Sequence, residues 1–163
     1  MTDRLVPLCL ALVLAGSAHA ASPEKPSVDY PAGFRKWPLV KSMVIYSDKH
    51  PLFAQFGGFH HVYANADAMR ALVKGGTFPD GSVLVFDLLE AKDENGAYVE
   101  GSRKLTAVMA KDRARFKETG GWGFEGFKGD STTERLVTDP VAQCFSCHQK
   151  QRDNDFVFSG YRP

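Results

Sequence analysis

Cys144-Phe145-Ser146-Cys147-His148, close to the end of the chain, is the stretch from which the rest can be read. Two cysteines three apart, followed at once by a histidine, form the attachment signature of a c-type haem. The spacing has a chemical reason. Each thiol adds to one vinyl group of a porphyrin, and on a helix positions i and i+3 share a face, so both sulfurs reach one edge of the macrocycle. His148 is four residues after Cys144 and lies on that face as well, where its imidazole can serve as the axial iron ligand. Asp139-Pro140 upstream reads as an N-cap followed by proline at the first helical position, which predicts a helix from about Asp139 to about Lys150. A structural zinc site needs four ligands, and this cluster offers three. A thioredoxin-like redox pair belongs at the start of a helix in a βαβ unit, and the sequence has none. A plain disulfide leaves the histidine unexplained.

The first twenty residues set the compartment. Arg4 gives a positive start, Leu5 to Leu14 is an apolar run too short to span a bilayer, and Ala18-His19-Ala20 is a small-x-small cleavage site. Residues 1–20 thus read as a cleaved signal peptide that takes Cys9 with it. Covalent haem attachment takes place outside the cytoplasm, so both signals agree on a bacterial periplasm. Of 163 residues, those remaining suit one domain, and a hydrophobic content of 44% suits a packed core. A formal net charge of +1 gives no footprint of nucleic acid or anionic membrane.

Outward from the haem motif, the preceding chain is rich in strand signals. Residues 21–33 hold three prolines and read as a loose arm, with residues 34–163 as a single haem-binding domain. Val40 to Tyr46 is β-branched and apolar, and Phe59 to Ala64 follows a Gly57-Gly58 break, so both read as strands. Asn65 caps a short helix, Ala66 to Lys74, closed by Gly75-Gly76. Its Met69, like Met109 in a later strand, reads as core filler. Phe78-Pro79-Asp80-Gly81 is a turn into Ser82 to Leu89, the strongest strand. Asn95-Gly96 marks a hairpin loop. Partner strands are expected over Ala97 to Val99 and Leu105 to Met109, then a short helix over Lys111 to Glu118 and a half-buried strand through Trp122 to Phe127. The tail Asp155 to Tyr161 reads as packed. The sum is an α+β protein, mostly antiparallel sheet with a few short helices and the haem motif on a C-terminal helix.

That order resembles the cytochrome P-460 and cytochrome c′-beta family. The carriers are Phe78-Pro79-Asp80-Gly81-Ser82-Val83, Lys111-Asp112 with Arg115-Phe116, Gly121-Trp122-Gly123-Phe124, Cys144 to His148, and Asp155 to Phe158 with Tyr161 and Pro163. The resemblance implies one covalently attached haem c, held by Cys144 and Cys147, with His148 on the iron. It also implies two kinds of chemistry. In the branch resembling hydroxylamine oxidases, a lysine on the strand after the Asp-Gly turn is cross-linked to the haem. That position corresponds here to Phe86, and no lysine lies between Gly81 and Lys92. The distal arginine of those enzymes corresponds to His60. Both departures point to the c′-beta branch, where phenylalanines cap the open face of the iron. Phe86 is one such cap, and its partner is Phe56 or Phe59. His60 and His61 are consecutive on a strand, so at most one looks inward. Arg152, four after His148, is a candidate for the proximal side.

The resemblance therefore implies a five-coordinate iron that binds NO and, when ferrous, CO, in NO scavenging, storage or transport. Rings without donors disfavour O₂ relative to NO and CO. Two alternatives remain: a hydroxylamine-oxidising enzyme, and a six-coordinate electron carrier with His60, His61 or Met43 on the iron. A homodimer and an unidentified redox partner complete the expectations.

Overall fold

The computed structural model describes residues 26–162. The expected signal peptide, residues 1–20, lies outside them. Five antiparallel strands form one sheet in sequence order: β1 (Leu39–Ile45), β2 (Gly58–Ala64), β3 (Val83–Glu94), β4 (Ala97–Lys111) and β5 (Trp122–Lys128). Two short helices punctuate it, α1 (Phe53–Phe56) and α2 (Ala66–Lys74). The α+β expectation holds.

Asn65 starts α2 as expected. Its Oδ1 accepts from Ala68 N and Val83 N, both at 3.0 Å, so the cap also ties the helix to β3. β3 and β4 make a long hairpin closed by Asn95 (φ 54°) and Gly96 (φ 83°), both left-handed as a two-residue primed turn requires. The two strands expected over 97–99 and 105–109 are one strand, because β4 stays paired with β3 from Glu94 to Val83 through two bulges. The helix expected over Lys111 to Glu118 does not form. Asp112 Oδ1 accepts from Ala114 N and Arg115 N as an N-cap does, and Phe116 N donates to Asp112 O at 3.0 Å, but Phe116 leaves helical geometry (φ −114°, ψ 47°) and only the 3₁₀ turn Lys117–Thr119 follows.

Register assigns the faces. Ala64 pairs with Leu84, Leu84 with Met109 and Met109 with Phe124, so these four side chains share one face. α2 and the C-terminal segment cover it: Ala68, Ala71, Phe78, Trp122, Phe145 and Val157 are buried with Ala64, Leu84 and Phe124. The other face packs Val85, Tyr63, Val108 and Phe127 beneath the N-terminal segment. That segment is not loose in its described part. Val28 is buried, and its carbonyl accepts from Arg135 at 2.7 Å. Asp87, fully buried on this second face, accepts from Arg103 (2.6 Å) and Arg35 (2.9 Å).

Candidate haem site

The segment carrying Cys144 to His148 begins as its sequence predicts and then departs from an ideal α-helix. Asp139 Oδ1 accepts from Val141 N and Ala142 N at 3.0 Å, Pro140 follows in the first helical position, and Gln143 Oε1 accepts from Asp139 N at 2.7 Å. Beyond this cap, Val141–Phe145 is a π-helical turn, Ser146–His148 an α turn and Gln149–Asn154 a 3₁₀ stretch. Wide turns of this kind concentrate at functional sites. Neither cysteine is in a disulfide. Burial pushes the Cys144 thiol up to about 11, with the nearby Glu125 charge adding to the effect.

His148 is positioned by its Nδ1. That nitrogen lies 2.8 Å from the Phe156 carbonyl, and a carbonyl can only accept, so Nδ1 carries the proton. The Nε2 lone pair is then the ring's free donor to a metal. Phe124 and Phe158 flank the imidazole, each with its ring centroid 5.0 Å away. Burial lowers the pKa of His148 from 6.5, which favours the neutral form a metal requires.

Phe86 lies on the same face of the sheet as Phe124, since Phe86 pairs with Ala107 and Ala107 with Gly126, two residues along from Phe124. Two small residues in that row leave a flat floor between aromatic rings. Phe56, on α1, meets Phe86 edge-on at 5.9 Å. His60 meets Phe86 at 4.7 Å, and its Nε2 bonds the Phe56 carbonyl. Burial, ahead of the other influences, lowers its pKa from 6.5. Lys104 Nζ donates to the next carbonyl, Gly57 O, at 2.8 Å. The end of α1 is thus held at two successive carbonyls.

Between the two phenylalanines left open as partners of Phe86, the geometry selects Phe56. Phe59 is a correction to the candidate set: it pairs with Leu89, on the other face, and stacks on His61 at 6.0 Å. His61 Nδ1 bonds Ser42 Oγ there at 2.8 Å, and its Nε2 lies 2.8 Å from Glu100 Oε1 without hydrogen-bond geometry. Arg152 is exposed; what reaches the His148 ring is the Phe156 carbonyl and the Phe124 and Phe158 rings. Met43 pairs with His60 at the sheet's edge strand and is 42% exposed.

The residues present fit a c-type haem. Two thiols and a neutral imidazole sit on one helical turn and a half. The neighbouring apolar groups are unusually open for their size: Phe158 is 49%, Leu136 38% and Phe56 37% exposed, and Leu136 packs over Gly126 in the flat row. Among the described residues no group of three or more His, Cys, Asp or Glu side chains is arranged to hold a metal ion. Residues 31–159 match the family model described as Cytochrome P460.

The chain belongs to the cytochrome P460 family. Membership makes this a haem protein and implies haem c as the cofactor. No curated protein matches the chain at the level of whole-sequence similarity. Among the described residues no helix is long and apolar enough to cross a membrane. Leu136 and the Phe156 carbonyl were not among the residues singled out in the sequence, and Phe158 stood there only as part of the family-like tail. Phe124 was legible in principle, because it shares strand parity with Trp122. The Phe156 carbonyl had no signal, since a backbone group carries none.

Proposed function

We propose that this protein is a periplasmic gas-binding cytochrome of the c′-beta kind, with Cys144 and Cys147 holding one haem c and His148 the sole protein ligand of its iron. The reading places NO, and CO in the ferrous state, under Phe56 and Phe86, for NO scavenging, storage or transport. When bound, the haem supplies an iron with one coordination position open to a diatomic ligand.

One observation supports this reading above the others: His60 is inward, yet its Nε2 is committed to the Phe56 carbonyl. Because that carbonyl accepts, the neutral ring's other nitrogen bears no proton. His60 therefore offers a distal ligand no hydrogen-bond donor, and Phe56 and Phe86 offer none either. A pocket without donors favours NO and CO over O₂, whose bound form gains most from a donor. The same commitment takes Nε2 away from the iron, so an electron carrier with His60 on the iron would have to use Nδ1. His61 faces away.

A hydroxylamine-oxidising reading keeps one point in its favour, a lysine near the distal side. Lys104 Nζ is held by Gly57 O at 2.8 Å, beside His60. That reading requires a third covalent link between haem and protein, which the mass of tryptic haem peptides reports. The homodimer and the redox partner are part of the proposal and rest on family resemblance. Absorption spectra of the ferrous protein with and without CO and NO test it. A high-spin spectrum that shifts on adding either gas supports it, and a low-spin spectrum in both redox states overturns it.

A further inference from the structure

We propose that the buried ion pair between Lys111 and Asp155 is a positioning device for the proximal histidine. It locks the backbone at Asp155 and Phe156 so that the Phe156 carbonyl stays aimed at His148 Nδ1. The inference rests on the reading of His148 as the iron ligand, but not on which gas binds.

Lys111 ends β4, and Asp155 follows the turn after His148. Their side chains are 3% and 8% exposed. Lys111 Nζ reaches Asp155 Oδ1 at 2.8 Å and Oδ2 at 2.9 Å, and also donates to Gly120 O at 3.1 Å. Phe78 N donates to Asp155 Oδ2 and Trp122 Nε1 to Asp155 O, both at 2.8 Å. So many convergent bonds on one residue have a conformational target. Asp155 (φ 47°) and Phe156 (φ 66°) are successive left-handed residues, and neither is glycine. Such backbone persists only where its surroundings over-determine it. A buried ion pair is a poor source of net stability, so specifying one conformation is the better account of its presence.

The strained pair has a chemical output. With both residues left-handed, Phe156 O accepts from His148 Nδ1 at 2.8 Å. An acceptor on the far nitrogen fixes the ring's orientation and raises its basicity toward the metal. The Phe156 ring is wedged as well: a Cβ added to Gly120 would lie 2.3 Å from it. β4, the Gly120 turn and the tail therefore converge on the geometry of one hydrogen bond.

The test uses the holoprotein. Asp155→Asn keeps the side chain's size and an acceptor for Phe78 N while removing the charge. In the ferrous state its iron–histidine stretching band should move to lower frequency, and its reduction potential should become more positive. CO association, governed by the distal side, should stay within about twofold of wild type, as expected for sites that share no partners. A band and a potential equal to wild type in a variant that retains its haem overturn the proposal. Should Asp155→Asn yield no holoprotein, Gly120→Ala replaces it. It leaves the ion pair chemically intact, presses on the Phe156 ring, and predicts the same two shifts, with their absence again the refutation. A wild-type protein without any iron–histidine band defeats the ligand reading itself; a wild-type band that the variants fail to move defeats only the clamp.

Discussion

Replacing Phe56 with alanine separates a distal lid from ordinary core packing. The ring is 37% exposed and meets Phe86 edge-on at 5.9 Å. An edge-to-face pair is worth about 0.5–1.5 kcal/mol beyond its area. If an entering ligand must part these rings, that energy stands in its barrier, and Phe56→Ala should speed association by about 2- to 13-fold. The backbone beneath the lid should hold, because His60 and Lys104 bind the Phe56 and Gly57 carbonyls rather than the ring. The stability loss should accordingly be about 1–2 kcal/mol, below the 3–5 kcal/mol typical of a fully buried phenylalanine. Flash photolysis of the ferrous CO complex reads the association rate directly, and thermal melting of the holoprotein reads the stability. Phe59→Ala is the matched control: the same residue type, three positions on, facing away beside His61. It should leave the rate unchanged. An unaltered rate in Phe56→Ala with an intact spectrum, or an equal acceleration in Phe59→Ala, would refute the reasoning.

Three further outcomes follow from the geometry. Asp87→Ala removes the buried acceptor of Arg103 and Arg35, which keep Asp130 and Glu100 respectively, and should cost about 1.5–3 kcal/mol in chemical denaturation. The haem spectrum should be unchanged, since Asp87 lies on the opposite face of the sheet. Gly58→Ala places a Cβ 2.1 Å from the Leu89 carbonyl at a φ of +129°, and should cost about 3 kcal/mol or more, seen as a lowered melting temperature. His60 predicts a pH dependence. Burial holds its folded pKa below 6.5, with His61, Lys104 and His50 acting in the same direction and the Phe56 carbonyl opposing. The unfolded chain therefore takes up this proton first, so the stability that neutral His60 contributes is complete above about pH 6.5 and is lost as pH falls toward the folded value. Denaturation midpoints across that range should slope less in His60→Gln; an identical slope would remove His60 as the cause.

What could be read in the chain and what could not divide along physical lines. Local signals carried well: Asn65 as a cap and Asp139-Pro140 as a helix start each depend on a side chain bonding its own neighbourhood, and Asn95-Gly96 as a primed turn depends on two residues that accept positive φ. Alternation also carried. Phe86 and His60 share a face because register preserves parity, and the same parity sends Phe59 and His61 to the other side. The choice between Phe56 and Phe59 was not legible, because Phe56 is not on a strand at all but on a helical turn before one. Lys111 to Glu118 misled because Lys111 is still paired in β4 and the cap at Asp112 starts only one turn, which ends where Phe116 leaves helical geometry. The proximal acceptor was out of reach for a further reason. Asp155 is of a residue type that tolerates the left-handed region, but Phe156 carries no such mark, and the groups that bond Asp155 there, on Lys111, Phe78 and Trp122, are distant in sequence.

The most direct measurement is the resonance Raman and absorption spectrum of the purified ferrous protein, alone and after addition of NO or CO. The expected result is a five-coordinate, high-spin iron with an iron–histidine band from His148, converted by either gas. A six-coordinate low-spin iron in the resting ferrous and ferric states, or a purified chain whose mass contains no porphyrin, would contradict it.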